Sequence, residues 1–299
     1  MVWFVGAVIV IGLGAVAWYD RFAKSKRIAV MYKTMEKKVA YSAAIQTPKI
    51  ILAGGSDVLY SFDADVIAEK LQQPTVNFGL NIGLGAGFLL DIAKAQAKSG
   101  DTLIVSLAYA LYWKPLFDVF GFEYFRMYDR KKLRYFTIRQ RLYYLMKNVA
   151  LNRHYVETNF ELSASGSYRG LAGTELAPAK KIPLIFPAYF TRSETTRVLE
   201  ELQETCAEQG ITLYVTYPST LYFEEYLASA YLKELDRYLK SHFQVIGSPT
   251  DFFVSERDIY NSVYHVNASG QAKRTASLVS FLTAKRRGDI EWILIGNQI

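Results

Sequence analysis

The 299-residue chain has a single cysteine, Cys206. An intramolecular disulfide is therefore excluded, and so is a cysteine-built metal site. Cys206 falls in a helical stretch and reads as a small apolar filler. Histidine is nearly as scarce. His154, His242 and His265 are the whole supply, so any histidine-dependent chemistry must use one of them. A dinucleotide fingerprint is also missing, because Gly83-Leu84-Gly85-Ala86-Gly87 lacks the Gly-x-Gly-x-x-Gly spacing. No metal site and no cofactor site is read from the sequence. Charged residues are few, at 21%, against 51% hydrophobic, which excludes a disordered chain and allows a large core. The length suits one large domain with an appendage.

Acidic residues nearly vanish between Arg126 and Arg153. Nine basic residues there face one acid, Asp129. A solvated helix face would carry such a surplus, and so would a surface for anionic lipid or polymer, with Arg130, Lys131 and Lys132 at its centre. No nucleic-acid motif accompanies it, so nucleic acid is not expected as a partner. Residues 2–19 carry no Asp, Glu, Lys or Arg, and Trp3, Phe4, Trp18 and Tyr19 mark the two ends. A single transmembrane helix is expected there. A cleaved signal peptide, using Ala15-Val16-Ala17, and a buried core helix are the competing readings. Arg21, Lys24, Lys26 and Arg27 follow the span, a charge pattern that by itself favours a cytoplasmic domain.

Beyond the span, residues 20–48 read as a juxtamembrane stalk helix ended by Pro48. Short apolar runs at 49–54, 74–79 and 101–108 read as strands, with helical stretches at 58–71 and 87–98 between them. Such alternation implies βαβ units and a parallel sheet. Residues 113–185 break the rhythm and read as an insertion. Ile138, Leu142, Leu145 and Val149 give it one amphipathic helix, and 159–179 reads as loop. Strands are then expected at 181–188, 210–217 and 243–246, and helices at 193–209, 222–241 and 269–286. The domain would span 49–285, with a tail at 286–299.

Three motifs sit where such a sheet would gather its chemistry. Gly54-Gly55-Ser56-Asp57 lies between a strand and a helix, where glycines permit a sharp turn and expose a serine at the sheet's carboxyl edge. Asn77-Phe78-Gly79-Leu80-Asn81-Ile82-Gly83 follows the second strand and can turn backbone N–H groups toward the same rim. Tyr264-His265-Val266-Asn267-Ala268-Ser269-Gly270 precedes the last helix. Each alone is also what an ordinary strand–helix turn or helix start looks like.

Together they resemble the SGNH, or GDSL, hydrolase superfamily. The block from Ser56 to Leu80 is most similar to the branch of the D-alanyl transfer protein of teichoic acid assembly and of proteins that accompany exopolysaccharide O-acyltransferases. The resemblance covers about 49–112 and 181–285. It implies an α/β three-layer sandwich with a parallel sheet. It also implies that Ser56 attacks an acyl carbonyl, that His265 is its base, and that Gly79 or Gly83 supplies an oxyanion donor. The expected function is that of a membrane-anchored serine acyltransferase or acylesterase acting on a cell-surface polysaccharide or teichoic-acid-type polymer, outside the cytoplasm. Expected partners are that polymer, membrane lipid and a polytopic membrane O-acyltransferase. The family's acid would fall three or four residues before the histidine, on Ser262 or Asn261, and neither is a carboxylate. Asp258 or Glu256 could substitute. Ser106-Leu107-Ala108-Tyr109, after the third strand, lacks the family's Asn. A catalytically weak or inactive accessory subunit is therefore the alternative.

Overall fold

Described for residues 2–156 and 161–288 in a computed structural model, the chain opens with α1 (Val2–Phe22) and α2 (Lys26–Ala44). β1 (Ile50–Gly54), α3 (Ser56–Ser61), α4 (Ala64–Leu71), β2 (Thr75–Gly79), α5 (Ala86–Gln96) and β3 (Thr102–Ser106) follow. Helices α6 (Val119–Tyr128) and α7 (Ile138–Arg153) and the small pair β4 (Glu161–Leu162) and β5 (Tyr168–Arg169) come next. The chain then runs through α8 (Glu194–Glu208), β6 (Thr212–Thr216), β7 (Thr220–Leu221), α9 (Glu225–Ala228) and α10 (Ala230–His242). It closes with β8 (Val245–Ile246), β9 (Phe253–Val254), β10 (Ile259–Ser262), β11 (His265–Val266) and α11 (Ala268–Arg287).

The main sheet is five-stranded and parallel, in the order β2-β1-β3-β6-β8. β1 is buried along its whole length, as a strand covered by helices on both faces must be. Helices α5, α8 and α10 share one face, joined by Lys94 to Thr205 and by Gln203 to the His242 carbonyl. Helices α4 and α11 cover the other, where the Asp63 amide donates to Thr275. The result is a three-layer α/β sandwich. At the amino edge, Lys49 and Asp101 form a fully buried ion pair of 2.6 Å. The Asp101 carboxylate also accepts from the Lys49 and Lys98 amides, which ties the starts of β1 and β3 together. At the carboxyl edge, Gly54 pairs with both Gly79 and Ser106. A Cβ on Gly54 would stand 2.0 Å from the Ser106 carbonyl oxygen, so only glycine fits between the strands there.

Several expectations are corrected. Residues 181–188 form no strand. Pro183 and Pro187 remove ladder donors from that run, and Phe186 instead packs among Tyr109, Trp113, Tyr226 and Tyr231. The segment 20–48 is not a free-standing stalk. Its helix α2 buries Ile28, Met35, Lys38 and Ser42 and packs against β2 and α6. Within 113–185 the main sheet gains no strand, yet α6 contributes Phe122 and Phe125 to the core. The apolar stripe read on α7 is split. Leu145 is buried, while Ile138 is 69% and Leu142 45% exposed. The loop read at 159–179 holds β4 and β5, and its Ser165 carbonyl accepts from the Asn77 amide, covering the edge of the sheet at β2. Of the tail, 289–299 lies outside the described residues.

The segment expected to span a membrane is helical, as α1. Among the described residues no helix is long and apolar enough to cross a membrane; the side chains of Val2, Val5, Ala7, Val8, Ile9 and Leu13 of α1 lie outside the described residues. The helix is not part of the core, since Trp3, Phe4, Val10, Ile11 and Trp18 are exposed. Its end is fastened. Arg126, paired with Glu123 at 2.6 Å, donates to the carbonyls of Tyr19, Asp20 and Ala23. A guanidinium at the carboxyl end of a helix satisfies orphan carbonyls and suits the helix dipole.

Candidate active site

Strand order reverses between β1 and β3, and ligands in open α/β sheets bind outside the carboxyl ends of strands at such a point. Ser56 sits there, as the first residue of α3 directly after β1 and Gly55. Across the edge, β10 and β11 form an antiparallel pair in which Ser262 opposes His265. The His-x-Asn-x-x-Gly spacing has a local cause. Asn267 caps α11 by accepting from the Gly270 amide, and its own amide donates to the carbonyls of Gly173 and Arg257. A Cβ on Gly270 would stand 2.6 Å from the Asp258 carbonyl oxygen, so a bare backbone lets the helix start close against the β10 segment.

This scaffold brings Ser56 Oγ to 2.8 Å from His265 Nε2. On the other side of the ring, His265 Nδ1 is 2.7 Å from Asn261 Oδ1. An amide oxygen only accepts, so the proton lies on Nδ1 and Nε2 is left to accept from the Ser56 hydroxyl. Tyr60, one helical turn after Ser56 on α3, stacks flat on the imidazole with centroids 4.0 Å apart and planes at 1°. Its hydroxyl also shares a hydrogen bond with Asn261. Burial pushes the His265 pKa down to about 4, so the ring is neutral near pH 7 and its Nε2 is free to accept a proton.

Among the described residues no carboxylate supports this ring. Asp258 is engaged by Ser255 and Ser269, each at 2.9 Å, and by Lys273 at 2.8 Å. Burial raises its pKa, but the bonds from Lys273, Ser269 and Ser255 outweigh that and hold it below the usual range. Glu256 pairs with Lys181. The expected substitute acids are therefore committed elsewhere, and Asn261 is the residue that holds the imidazole. A further acid lies beside the serine. Asp57 is buried, accepts from the Ser106 hydroxyl at 3.2 Å, and is pushed up to about 7 by burial.

The expected oxyanion donors are also reassigned. The Gly79 amide donates to Asn77 Oδ1 and the Gly83 amide to Asn81 Oδ1, both at 2.8 Å. Gly79 is needed for another reason, because a Cβ there would meet the Leu59 amide nitrogen at 2.2 Å. Asn81 itself lines the cleft with Ser56 and His265. With its oxygen spent on Gly83, its Nδ2 is the side-chain donor at the rim, beside the start of α3, where the Asp57 and Val58 amides serve the Asp57 carboxylate.

The cleft has a volume of about 430 Å³. Beyond the reactive pair its walls include Arg27, Met31 and Thr34 of α2 and His154 and Tyr155 after α7. A groove of similar size, 460 Å³, between α4 and α11 contains neither Ser56 nor His265. Sequence reasoning did not single out Tyr60, Asn81, Arg27 or His154 as site residues. Tyr60 could have been found from its four-residue spacing after Ser56 on a helix. Arg27 and His154 come from segments distant in sequence, and nothing local marks them. Of the basic residues expected at a membrane or polymer, Arg130 pairs with Asp20 and Lys132 with Asp91. Lys131 is exposed with no ion pair among the described residues. No group of acids, histidines and cysteine among the described residues could hold a metal ion.

No family model matches the chain, and no curated protein matches it. Among solved structures, "a putative platelet activating factor from Streptococcus pneumonia" overlaps 92% of this chain and 99% of its own, at 13% identity and a TM-score of 0.40. An overlap that loose carries no argument, and the chain's own geometry is that of a three-layer α/β protein with a serine and a histidine in hydrogen-bond contact at its sheet edge.

Proposed function

We propose that the chain is an SGNH-like serine acyl hydrolase or acyltransferase in which Ser56 is the nucleophile and His265 the general base. The 2.8 Å contact between Ser56 Oγ and His265 Nε2 carries this reading, since a weak nucleophile needs a base within hydrogen-bond reach. As Oγ attacks an ester carbonyl, its proton passes to Nε2, and the new oxyanion faces Asn81 Nδ2 and the amide of Ser56 itself. Collapse of the tetrahedral species expels the alcohol, which takes the proton back from His265. Water or a second alcohol then releases the acyl group by the same route. Asn261 keeps the ring oriented but adds no charge to stabilise the imidazolium.

We place the reaction at a membrane, on a cell-surface polymer. Residues 2–19 carry no charged side chain, and α2, which forms a cleft wall, is separated from α1 by only three residues. Hydrolysis of 4-nitrophenyl acetate by the full chain in detergent tests the chemistry. Ser56→Ala and His265→Ala should each lower kcat/KM by at least about 10³-fold, within the range such removals cost. Activity that survives Ser56→Ala would refute the assignment.

A second reading is favoured by the amide at His265. A change from carboxylate to amide at that position costs a serine protease about 10⁴ in kcat. On this reading the chain is an accessory subunit that keeps the cleft as a binding surface beside a polytopic membrane acyltransferase. An inert wild type whose Asn261→Asp variant gains esterase activity would select it.

A further inference from the structure

Arg27 is an unusual wall for a cleft. It is the second residue of α2, where the partial positive charge of the helix amino terminus disfavours a cation. Its guanidinium is fixed between two rings, 4.9 Å from the Phe120 centroid and 5.0 Å from that of Tyr155. One nitrogen, Nη2, donates to the Leu151 carbonyl at 3.2 Å. The Nε is buried without a hydrogen-bond partner, and among the described residues no carboxylate pairs with this arginine. Burial lowers its pKa, opposed by the Tyr155 phenol. A guanidinium held rigid, short of partners and facing the same cleft as Ser56, His265 and His154 is a receptor for an oxyanion.

We infer that the cleft takes an ester that also bears an oxyanion group, a phosphate or a carboxylate, and that Arg27 grips this group while Ser56 meets the ester carbonyl. The inference rests on the acyl-transfer reading of Ser56 and His265. His154 adds a second donor to the same wall. A purely structural Arg27, closing the carboxyl end of α7 through Leu151, would account for Nη2 but would leave Nε unanswered. The opening of α2 strengthens the site, because its first-turn N–H groups add positive potential where the anion would lie.

Titration calorimetry on the full chain in detergent, with inorganic phosphate and separately with acetate, tests the site without using the Ser56 chemistry. Saturable binding is expected for at least one of the two anions. Saturation by phosphate alone assigns the group to a phosphate, and by acetate alone to a carboxylate. Arg27→Gln should weaken binding at least tenfold, and Arg27→Lys less. Should Arg27→Gln fail to fold, Val30→Glu places a carboxylate one turn along the same wall and should produce the same loss. No saturable binding to the wild type, or binding unchanged in the variants, overturns the inference. Either result leaves the hydrolysis assay to judge Ser56 by itself.

Discussion

At the scale of single residues, Asn261 decides how far the site can go. A carboxylate there would favour the imidazolium and raise the histidine's pKa, whereas the amide leaves burial unopposed. The free enzyme's acid limb is therefore expected near pH 4, the depressed pKa of His265, and not near 6.5. The sign follows from the base needing to be unprotonated: activity is present above that pKa and is lost as pH falls through it. The same ring opposes folding in acid. Its folded pKa lies below the unfolded 6.5, so the unfolded chain binds more protons between about pH 6.5 and 4, and stability falls as pH drops through that window. Asn261→Asp should move the acid limb upward by at least one pH unit and raise kcat. A pH profile of kcat/KM for both forms checks this, and an unmoved limb would mean that position 261 does not govern the base. Asn261 was legible in the sequence because the family pattern put the acid three or four residues before the histidine. The engagement of Asp258 was not, because Lys273, which claims it, lies fifteen residues on, in another element.

At the scale of elements, α1, α6 and α7 form a connected group at one end of the molecule. Arg126 of α6 closes the end of α1, and Asn152 of α7 accepts from Ser25 and donates to the Tyr19 hydroxyl. The outer row of α7 carries Ile138, Leu142 and Met146 at four-residue spacing, with Met146 67% exposed. Arg139 and Lys147 flank that row. Exposed apolar residues bordered by cations suit a helix lying at a lipid headgroup layer. This differs from a contact led by Arg130, Lys131 and Lys132, since two of those three are paired within the protein. Replacing Ile138, Leu142 and Met146 together by Glu should weaken cosedimentation of the 20–299 fragment with anionic liposomes at least fivefold, provided that its thermal melt confirms a folded fragment. Lys131→Glu alone should weaken it less than twofold. Equal effects would return the contact to the basic residues. The helix itself was legible from its spacing. Which side faced out was not, because α6 occupies only part of the stripe.

At the scale of the whole molecule, the strands of the sheet through β6 were legible because each is a short apolar run ended by glycine or a polar turn. The run 181–188 looks the same by composition, and two prolines and an aromatic pocket defeat it. The site was legible as far as its contributions lie in short motifs after β1 and before α11. The cleft wall from α2 and the end of α7 was not, because it exists only once the amino-terminal segment folds back over the sheet edge. The fold thus brings together a serine, a histidine and an amide over 209 residues of chain separation.

Treating the full chain with a fluorophosphonate and measuring its intact mass and peptide map reads the reactivity of Ser56 itself. One covalent adduct on Ser56, at least about 10²-fold slower to form in His265→Ala, is the predicted result. An unlabelled chain, or an adduct on another residue, would contradict it.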